Sequence, residues 1–400
     1  MRNKLYFLCG LLLLSVLSFG QDEAYYEPFA LPAPPEDLVS PQIHADHRVT
    51  FRLYAPDALE VSLNSDCFGA DIDLTPFGTS TGSVVMSKDS DGIWSYTTKY
   101  PVQPNCYTYD YLVDFVHNVV DPANKHDAWN QGSHFSVFAV GGDSLADLYV
   151  ENAVAHGAVH RLDYYSDMLK QNRRVAVYLP PEYDERIAYP VLYLLHGISG
   201  DEMAWLTLGR VAQICDNMIS RRQIEPMIIV MPNCNPVVHS EEDGVTTLTD
   251  NILNIPRQLS GAFEESFVEL TSLIEKRYSV SILKRNHAIA GISSGGFQAS
   301  NIVKLYEDYF GCVGLFSATL WKRNVPSVNA PADAHIYYIR MGANDWVSWS
   351  LSMHFADRVC RKGYVVDIKE TPGGHTWKWW RSYLVEFLPV VFNHDFVRRR

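Results

Sequence analysis

The chain has 400 residues, of which 47% are hydrophobic and 20% charged, a composition that excludes collagen-like, coiled-coil and disordered proteins. This length indicates about two domains, because domains usually hold roughly 100–200 residues. The 46 acidic residues outnumber the 33 basic ones and leave a net charge of −13. A surface this acidic does not attract phosphate backbones, so we expect no nucleic-acid partner.

The first twenty residues have the features of a secretory signal peptide. Two basic residues, Arg2 and Lys4, precede an apolar run from Leu5 to Leu17 that is too short to span a bilayer. Small residues then occupy the positions before Gln21 that a signal peptidase recognises. We expect cleavage directly before Gln21, which leaves a secreted or periplasmic product of a bacterium with no membrane partner.

Export would make disulfides possible among the six cysteines that follow the signal peptide. Cys67 and Cys106 lie in the same N-terminal region, and their spacing leaves both a disulfide and two buried thiols open. The sequence contains no C-x-x-C pair and no H-E-x-x-H motif, the patterns typical of zinc sites. We therefore expect neither a metal nor a cofactor.

Residues 41–140 are predicted to form a β-sandwich. Apolar and polar residues alternate in short runs that end at Gly, Pro or Asp, and no helical period appears. The predicted strands include Val49–Tyr54, Ile93–Thr98, Tyr107–Phe115 and His134–Val140. Residues 21–40 read as an extended lead-in to this domain, and residues 141–156 as a linker after it.

Residues 157–400 are predicted to form an α/β domain. Several of its strands are continuous apolar runs, as expected for parallel strands buried on both faces. Helical periodicity separates them, for example from Phe263 to Ile274 and from Leu351 to Lys362. The predicted strands are Ala158–Tyr165, Arg174–Leu179, Val191–Leu195, Met227–Met231, His287–Gly291, Cys312–Ser317, Ile336–Met341 and Tyr364–Lys369. This alternation predicts a doubly wound sheet.

The strand His287–Gly291 runs into a G-x-S-x-G motif centred on Ser293. In this motif a sharp turn between strand and helix lifts a nucleophilic serine clear of the sheet. A second match, centred on Ser80, lies in a Thr/Ser/Gly-rich loop with no apolar strand before it. The context favours Ser293 as the nucleophile.

A nucleophilic serine needs a histidine base, and the histidine needs a carboxylate that holds its tautomer. In this fold both follow the serine, acid first, each beyond the carboxyl end of a strand. Asp345 follows the strand Ile336–Met341, and His375 follows the strand Tyr364–Lys369. We therefore predict a catalytic triad of Ser293, Asp345 and His375.

Two backbone N–H groups are needed to stabilise the oxyanion. The residue after the nucleophile, Ser294, supplies one, and Ile198, in the glycine-containing loop after Val191–Leu195, supplies the other. His196 opens the same loop, but it precedes the serine in the chain, so we expect a structural role for it.

Several segments together resemble carbohydrate esterase family one, the secreted feruloyl and acetyl-xylan esterases of the esterase D superfamily. These segments are YPVLYLLHGISGDEMAW, MIIVMPN, AIAGISSGGF and GGHTWKWWRSYL. The N-terminal segments SPQIHADHRVTFRLYAPDA, DGIWSY and DPAN resemble the isoamylase-type sandwich of carbohydrate-binding-module family forty-eight. The resemblance implies the same triad and the same oxyanion donors.

The resemblance implies a serine esterase that removes feruloyl or acetyl groups from plant cell-wall polysaccharide such as xylan. Two alternatives remain open: a siderophore trilactone esterase, which can share this domain order, and a polysaccharide-binding protein with an inactive esterase domain. The family commonly has Met where this chain has Ser294, and further glycines where it has Ile198 and Ser199, so the acyl pocket is expected to differ.

Three tryptophans follow catalytic elements in the sequence: Trp205, Trp346 and Trp377. A flat feruloyl ring gains from stacking on an indole, whereas an acetyl group does not. We predict Trp205 and Trp346 as substrate contacts and Trp377 as a core residue. In the sandwich we predict that Trp94 is buried, and leave open whether Trp129 is exposed. We expect the sandwich to pack on the esterase domain and bind glycan only weakly by itself.

Overall fold

The computed structural model describes residues 30–68, 82–130, 133–198, 200–235 and 261–393. In the described part of the N-terminal domain there are ten strands: β1 (Gln42–Ile43), β2 (Val49–Tyr54), β3 (Val61–Ser65), β4 (Gly82–Val85), β5 (Ser87–Lys88), β6 (Ile93–Thr97), β7 (Asn105–Val113), β8 (His117–Val119), β9 (Asp127–Asn130) and β10 (Ser133–Val140). Eight more form the C-terminal sheet: β11 (Ala158–Ser166), β12 (Gln171–Leu179), β13 (Val191–Leu195), β14 (Ile228–Pro232), β15 (His287–Ile292), β16 (Cys312–Phe316), β17 (Ile336–Gly342) and β18 (Val366–Thr371). The described helices are α1 (Ala204–Thr207), α2 (Val211–Ser220), α3 (Ala262–Glu265), α4 (Phe267–Arg277), α5 (Ser294–Leu305), α6 (Trp349–Arg361) and α7 (Trp377–Phe387).

The N-terminal domain consists of two antiparallel sheets. One has the order β1-β2-β6-β5, and the other has the order β4-β3-β7-β10-β9 with β8 beside β7. Side chains from both sheets, among them Phe51 and Tyr109, meet in one apolar core. Trp94 lies in this core, 6% exposed, and its indole N–H donates to the Ala55 carbonyl over 2.9 Å. The predicted β arrangement and the predicted burial of Trp94 are confirmed.

All eight predicted strands of the C-terminal domain are present, in the order β11-β12-β14-β13-β15-β16-β17-β18. Six neighbouring strands, β14-β13-β15-β16-β17-β18, are mutually parallel. Of the remaining two strands, β12 is antiparallel to both of its neighbours, β11 and β14, and so runs against the other seven strands. A tight turn containing Lys170 with φ of 55° joins β11 to β12, so no crossover helix intervenes.

Helices cover both faces of the C-terminal sheet, which confirms the predicted doubly wound α/β fold. Helices α3, α4, α5 and α6 pack on one face around residues such as Ile289 and Phe267. Helices α1, α2 and α7 pack on the other face around residues such as Ala290 and Phe387. Both faces of β13, β15 and β16 are buried, as their unbroken apolar sequences predicted.

The β-sandwich packs against the helix-covered face formed by α1, α2 and α7. Cys106, Ala128 and Val137 of the sandwich belong to the same apolar cluster as Trp205 of α1. The segment predicted as a linker belongs to this cluster too, because Ala146, Leu148 and Tyr149 are buried in it. The predicted linker, residues 141–156 (the interdomain segment), is therefore buried in part, and the predicted packing of the two domains is confirmed.

A buried arginine joins the two domains. Arg381 of α7 is 3% exposed and donates to Asn105 Oδ1 at 2.8 Å and to the Cys106 carbonyl at 2.7 Å, both in the sandwich. It also donates to the Leu208 carbonyl after α1 at 2.7 Å, and its guanidinium lies 5.3 Å from the Tyr149 ring centroid. One side chain therefore fixes the sandwich, the interdomain segment and the helix that follows His375 relative to one another.

We expect Arg381→Ala to lower the free energy of unfolding by about 3 kcal/mol, because three buried oxygens each lose a donor, although Asn105 Oδ1 keeps another, the Cys106 N–H. The matched control is Arg361→Ala on α6, whose guanidinium is exposed and forms only an i,i+4 ion pair with Asp357. The control should change stability by less than about 0.5 kcal/mol. Urea unfolding measures both, and equal midpoints for the two variants would contradict the role of Arg381.

The cysteines of the described residues are all unpaired thiols, including Cys67 and Cys106. The disulfide that the spacing left open between them is therefore absent from the structure. None of the helices in the described ranges has the length and apolar character needed to cross a bilayer. The predicted signal peptide, residues 1–20, lies outside the described residues, as does Ser80.

Candidate active site

Ser293 occupies a strained turn between β15 and α5. Its φ of 51° and ψ of −118° are unusual for a residue with a side chain and cost on the order of 1–3 kcal/mol. The turn is held by a bond from the Ser293 N–H to the Phe316 carbonyl at 3.0 Å. Close backbone contacts explain the flanking glycines: a Cβ on Gly291 would lie 2.4 Å from the Gly295 backbone, and a Cβ on Gly295 would lie 2.2 Å from the His196 carbonyl oxygen.

The three residues predicted as a triad lie within hydrogen-bond distance of one another. His375 Nε2 is 3.0 Å from Ser293 Oγ, and His375 Nδ1 is 3.1 Å from each carboxylate oxygen of Asp345. Nδ1–H therefore donates to the carboxylate, which leaves the lone pair of Nε2 facing the serine hydroxyl. All three residues are buried, and Asp345 is completely so. This arrangement can take a proton from Ser293.

Asp345 is held in its ionised form by hydrogen bonds. Burial is the largest single influence on its pKa and raises it, but the hydrogen bond and charge of His375, followed by hydrogen bonds from Ser348 and Ser317, leave the pKa below its usual value. Ser348 supplies two of these bonds, from its N–H to Oδ1 at 3.0 Å and from its hydroxyl to Oδ2 at 2.6 Å. The carboxylate is therefore available at neutral pH to stabilise a protonated His375.

Ser348 was not among the residues predicted from sequence. A signal for it exists, because a serine three residues after an aspartate at the start of a helix is typical of a local capping turn. Trp380 was also missed as part of the site: its ring meets the His375 ring edge to face, with centroids 5.0 Å apart. No local pattern reveals this contact, since it depends on how α7 packs.

The predicted substrate residues have different surroundings. Trp346 is 63% exposed directly after Asp345, which suits a contact with substrate. Trp205 is only 1% exposed, donates its indole N–H to the Leu195 carbonyl and packs edge to face on Trp377. The prediction of Trp205 as a substrate contact is therefore wrong, because its ring fills the core beneath the site. Trp377 packs against this core, as predicted.

The loop with the predicted oxyanion donor lies against the nucleophile. A Cβ placed on Gly197 would be 3.5 Å from the Ser293 Cβ, so the peptide that contains the Ile198 N–H is close to Ser293. Ser294 is the first residue of α5, where N–H groups lack partners inside the helix. The assignment of both N–H groups as oxyanion donors stays a prediction. Within the described ranges, no group of three His, Cys, Asp or Glu side chains is placed to hold a metal ion.

Residues 166–390 match the Esterase family, described as "Putative esterase". The chain belongs to this family. The family match spans most of the α/β domain and both partners of Ser293. It confirms the predicted enzyme class, carboxylic ester hydrolase, at the level of the esterase domain.

Two relatives of this esterase have longer chains. An endo-1,4-beta-xylanase/feruloyl esterase of Xylanibacter ruminicola is 28% identical over 69% of this chain and 36% of its own. Endo-1,4-beta-xylanase Y of Acetivibrio thermocellus is 23% identical over 54% of this chain and 22% of its own. The esterase chain thus spans about a third and about a fifth of the lengths of these two relatives.

Solved structures share the fold of this esterase. A ferulic acid esterase of Anaeromyces mucronatus covers 62% of this chain and 95% of its own, with 22% identity and a TM-score of 0.51. Enterochelin esterase of Shigella flexneri covers 89% of this chain and 95% of its own, with 15% identity and a TM-score of 0.57. The second likeness extends over the β-sandwich as well, so the two-domain fold recurs in another esterase.

Proposed function

We propose that the chain is a secreted serine esterase that removes feruloyl groups, or acetyl groups, from plant cell-wall polysaccharide such as xylan. The observation that carries the proposal is the hydrogen-bonded series Ser293–His375–Asp345 at the end of the strained turn after β15. Support for the substrate comes from the relative of Xylanibacter ruminicola, which is named as both a xylanase and a feruloyl esterase.

In the proposed mechanism, Ser293 Oγ attacks the acyl carbon while its proton passes to His375 Nε2. The N–H groups of Ile198 and Ser294 donate to the oxyanion of the tetrahedral intermediate. The bond to the sugar oxygen then breaks, and His375 gives that oxygen its proton, which leaves the acyl group on Ser293. His375 next deprotonates a water molecule that attacks the acyl carbon, and the released Ser293 oxygen recovers the proton. Asp345 stabilises the protonated His375 throughout.

A feruloyl preference predicts a contribution from Trp346, because its exposed indole beside the triad offers a face to the flat ring of the acyl group. We expect Trp346→Ala to lower kcat/KM for methyl ferulate about 5- to 10-fold and to leave release of acetate from acetylated xylan unchanged. Trp129→Ala is the matched control, since this indole is 55% exposed but lies in the sandwich. Faster acetate release in the wild type, with a ratio that Trp346→Ala does not alter, would favour acetyl-xylan esterase and contradict the feruloyl proposal.

A siderophore trilactone esterase is the second candidate. The likeness to enterochelin esterase extends over 89% of this chain, including the sandwich, and this observation favours it. At 15% identity the likeness shows the fold alone. Hydrolysis of a ferric catecholate trilactone, measured beside methyl ferulate, separates the two candidates. If the wild type hydrolyses neither ester but binds xylan, the third alternative, a binding protein, replaces both.

The sandwich is proposed to shape the esterase domain and to have little affinity for glycan by itself. Its apolar contact with α1 and its bonds to Arg381 support a structural role. One indole, Trp129, is exposed, but one of its faces is stacked on His134 with ring centroids 4.4 Å apart. Strong retention of a Gln21–Val140 fragment on insoluble xylan would contradict this proposal.

The proposed export predicts a mature N-terminus at Gln21, cyclised to pyroglutamate. The basic start and apolar run within residues 1–20 support it. Mass spectrometry of the N-terminal peptide, from protein isolated from the bacterial periplasm or medium, measures the cleavage site. An intact Met1 on protein in the cytosol would contradict export and favour the trilactone candidate.

A further inference from the structure

His196 uses both ring nitrogens on backbone groups. It follows β13, is 2% exposed, and places Nε2 3.0 Å from the Cys234 N–H and Nδ1 2.6 Å from the Gly197 carbonyl oxygen. A backbone N–H can only donate, so Nε2 must be the acceptor. The proton of the neutral ring therefore lies on Nδ1, which donates to Gly197.

The Gly197 carbonyl accepts two bonds, from the imidazole at 2.6 Å and from the Gly200 N–H at 3.2 Å, and the shorter bond to the imidazole sets the direction of the next N–H group. The Gly197 carbonyl and the Ile198 N–H belong to one trans peptide plane and point in opposite directions. A carbonyl held toward the imidazole therefore turns the Ile198 N–H away from it. The same peptide lies beside the nucleophile, because a Cβ on Gly197 would be 3.5 Å from the Ser293 Cβ.

We propose that His196 is a positioning residue that holds the Gly197–Ile198 peptide in the orientation in which the Ile198 N–H donates to the oxyanion. This inference rests on the proposed function, since it assigns a task within the same ester hydrolysis. It differs from the expectation of a purely structural histidine, because the bond to Gly197 O acts on a group that stabilises the transition state.

The surroundings keep this bond intact under working conditions. Burial lowers the pKa of His196 to about 4, so the ring stays neutral above pH 5 and Nε2 keeps its lone pair. The segment after β14, whose Cys234 N–H donates to the ring, is itself held in place. Gln298 of α5 donates to the Cys234 carbonyl at 2.7 Å, and Asn235 donates to the Gly200 carbonyl at 2.8 Å. The imidazole thus connects a fixed segment after β14 to the loop beside Ser293.

Two variants separate the two bonds of the ring. The amide nitrogen of His196→Asn sits where Nδ1 was and can donate to Gly197 O, but this shorter side chain does not reach Cys234. The amide of His196→Gln reaches the Cys234 N–H and removes the imidazole donor from Gly197 O, which then keeps only its longer bond from the Gly200 N–H at 3.2 Å. We expect the Gln variant to lose about 10- to 100-fold in kcat with KM unchanged, and the Asn variant to recover most of that loss. Affinity for an aryl trifluoromethyl ketone, whose oxygen becomes an oxyanion on the serine, should fall in parallel with kcat.

His354→Gln, on the exposed face of α6, is the matched control and should match the wild type. Equal losses of kcat in the Asn and Gln variants, or losses confined to KM, would overturn the proposal. Nitrogen-15 NMR of histidine-labelled wild type at pH 7 adds a test that needs no variant to fold: a proton on Nε2 of the buried, neutral His196 would also overturn it. Failure of the wild type to hydrolyse any ester would instead contradict the proposed function and is seen in the same assay.

Discussion

Ser293→Ala is expected to lower kcat for a chromogenic acetate ester by on the order of 10⁴-fold or more. Without Oγ no acyl-enzyme forms, and only the oxyanion donors and substrate binding remain to accelerate attack by water. The loss of one hydroxyl from a residue that is 7% exposed should leave the fold intact, which circular dichroism checks. Labelling by a fluorophosphonate, which modifies the activated serine covalently, should disappear together with hydrolysis.

The control for this variant is Ser350→Ala on α6, an exposed serine outside the predicted triad. It should keep wild-type hydrolysis and wild-type labelling. If Ser293→Ala retains hydrolysis, or if mass spectrometry finds the fluorophosphonate on Ser80, the nucleophile has been assigned wrongly.

Asp345→Asn is expected to lower kcat by on the order of 10³- to 10⁴-fold with little change in KM. An amide nitrogen that replaces a carboxylate oxygen 3.1 Å from His375 Nδ1 donates to that nitrogen instead of accepting from it. The ring proton then moves to Nε2 and points at Ser293 Oγ, so the histidine is in the wrong tautomer to act as a base. Ser348 remains as a donor to the remaining carbonyl oxygen, which should preserve the packing.

Asp357→Asn provides the matched control, because this aspartate is exposed and bonds only to Arg361 on the same helix. It should retain kcat within about twofold. Equal activity of Asp345→Asn and the wild type over the pH range from 6 to 9 would contradict the triad, since no other carboxylate among the described residues bonds to His375 Nδ1.

The positions of the catalytic candidates were predictable because local sequence patterns carry them. Continuous apolar runs locate buried strands, and each strand of the C-terminal sheet begins and ends within three residues of its prediction. Residues beyond the carboxyl ends of parallel strands meet at one edge of the sheet. Ser293, Asp345 and His375 all occupy such positions, and so they lie together.

The arrangement of β11 and β12 was less predictable, because a strand pattern does not encode the direction of its neighbour. Their exposed and buried residues alternate or are mixed, as in a hairpin at the edge of a sheet. Only the pairing of β12 with β14 decides that β12 runs against the parallel strands. The burial of the interdomain segment, residues 141–156, was also not predictable from its sequence. Its few apolar residues stand in a polar stretch and become buried only because the sandwich and α2 enclose them.

The sequence by itself determined the position of the serine turn, the order of the three triad candidates and the strands that precede them, because each depends on residues close together in the chain. The tertiary structure decided the role of each aromatic or polar residue around that centre. Trp205 and Trp346 have similar positions next to catalytic elements in the sequence, yet one lies in the core and the other at the surface. Likewise, the tautomer of His196 depends on Cys234, which is 38 residues away in the chain. Such contacts arise from the packing of distant segments, and a local pattern of apolar and polar residues does not contain them.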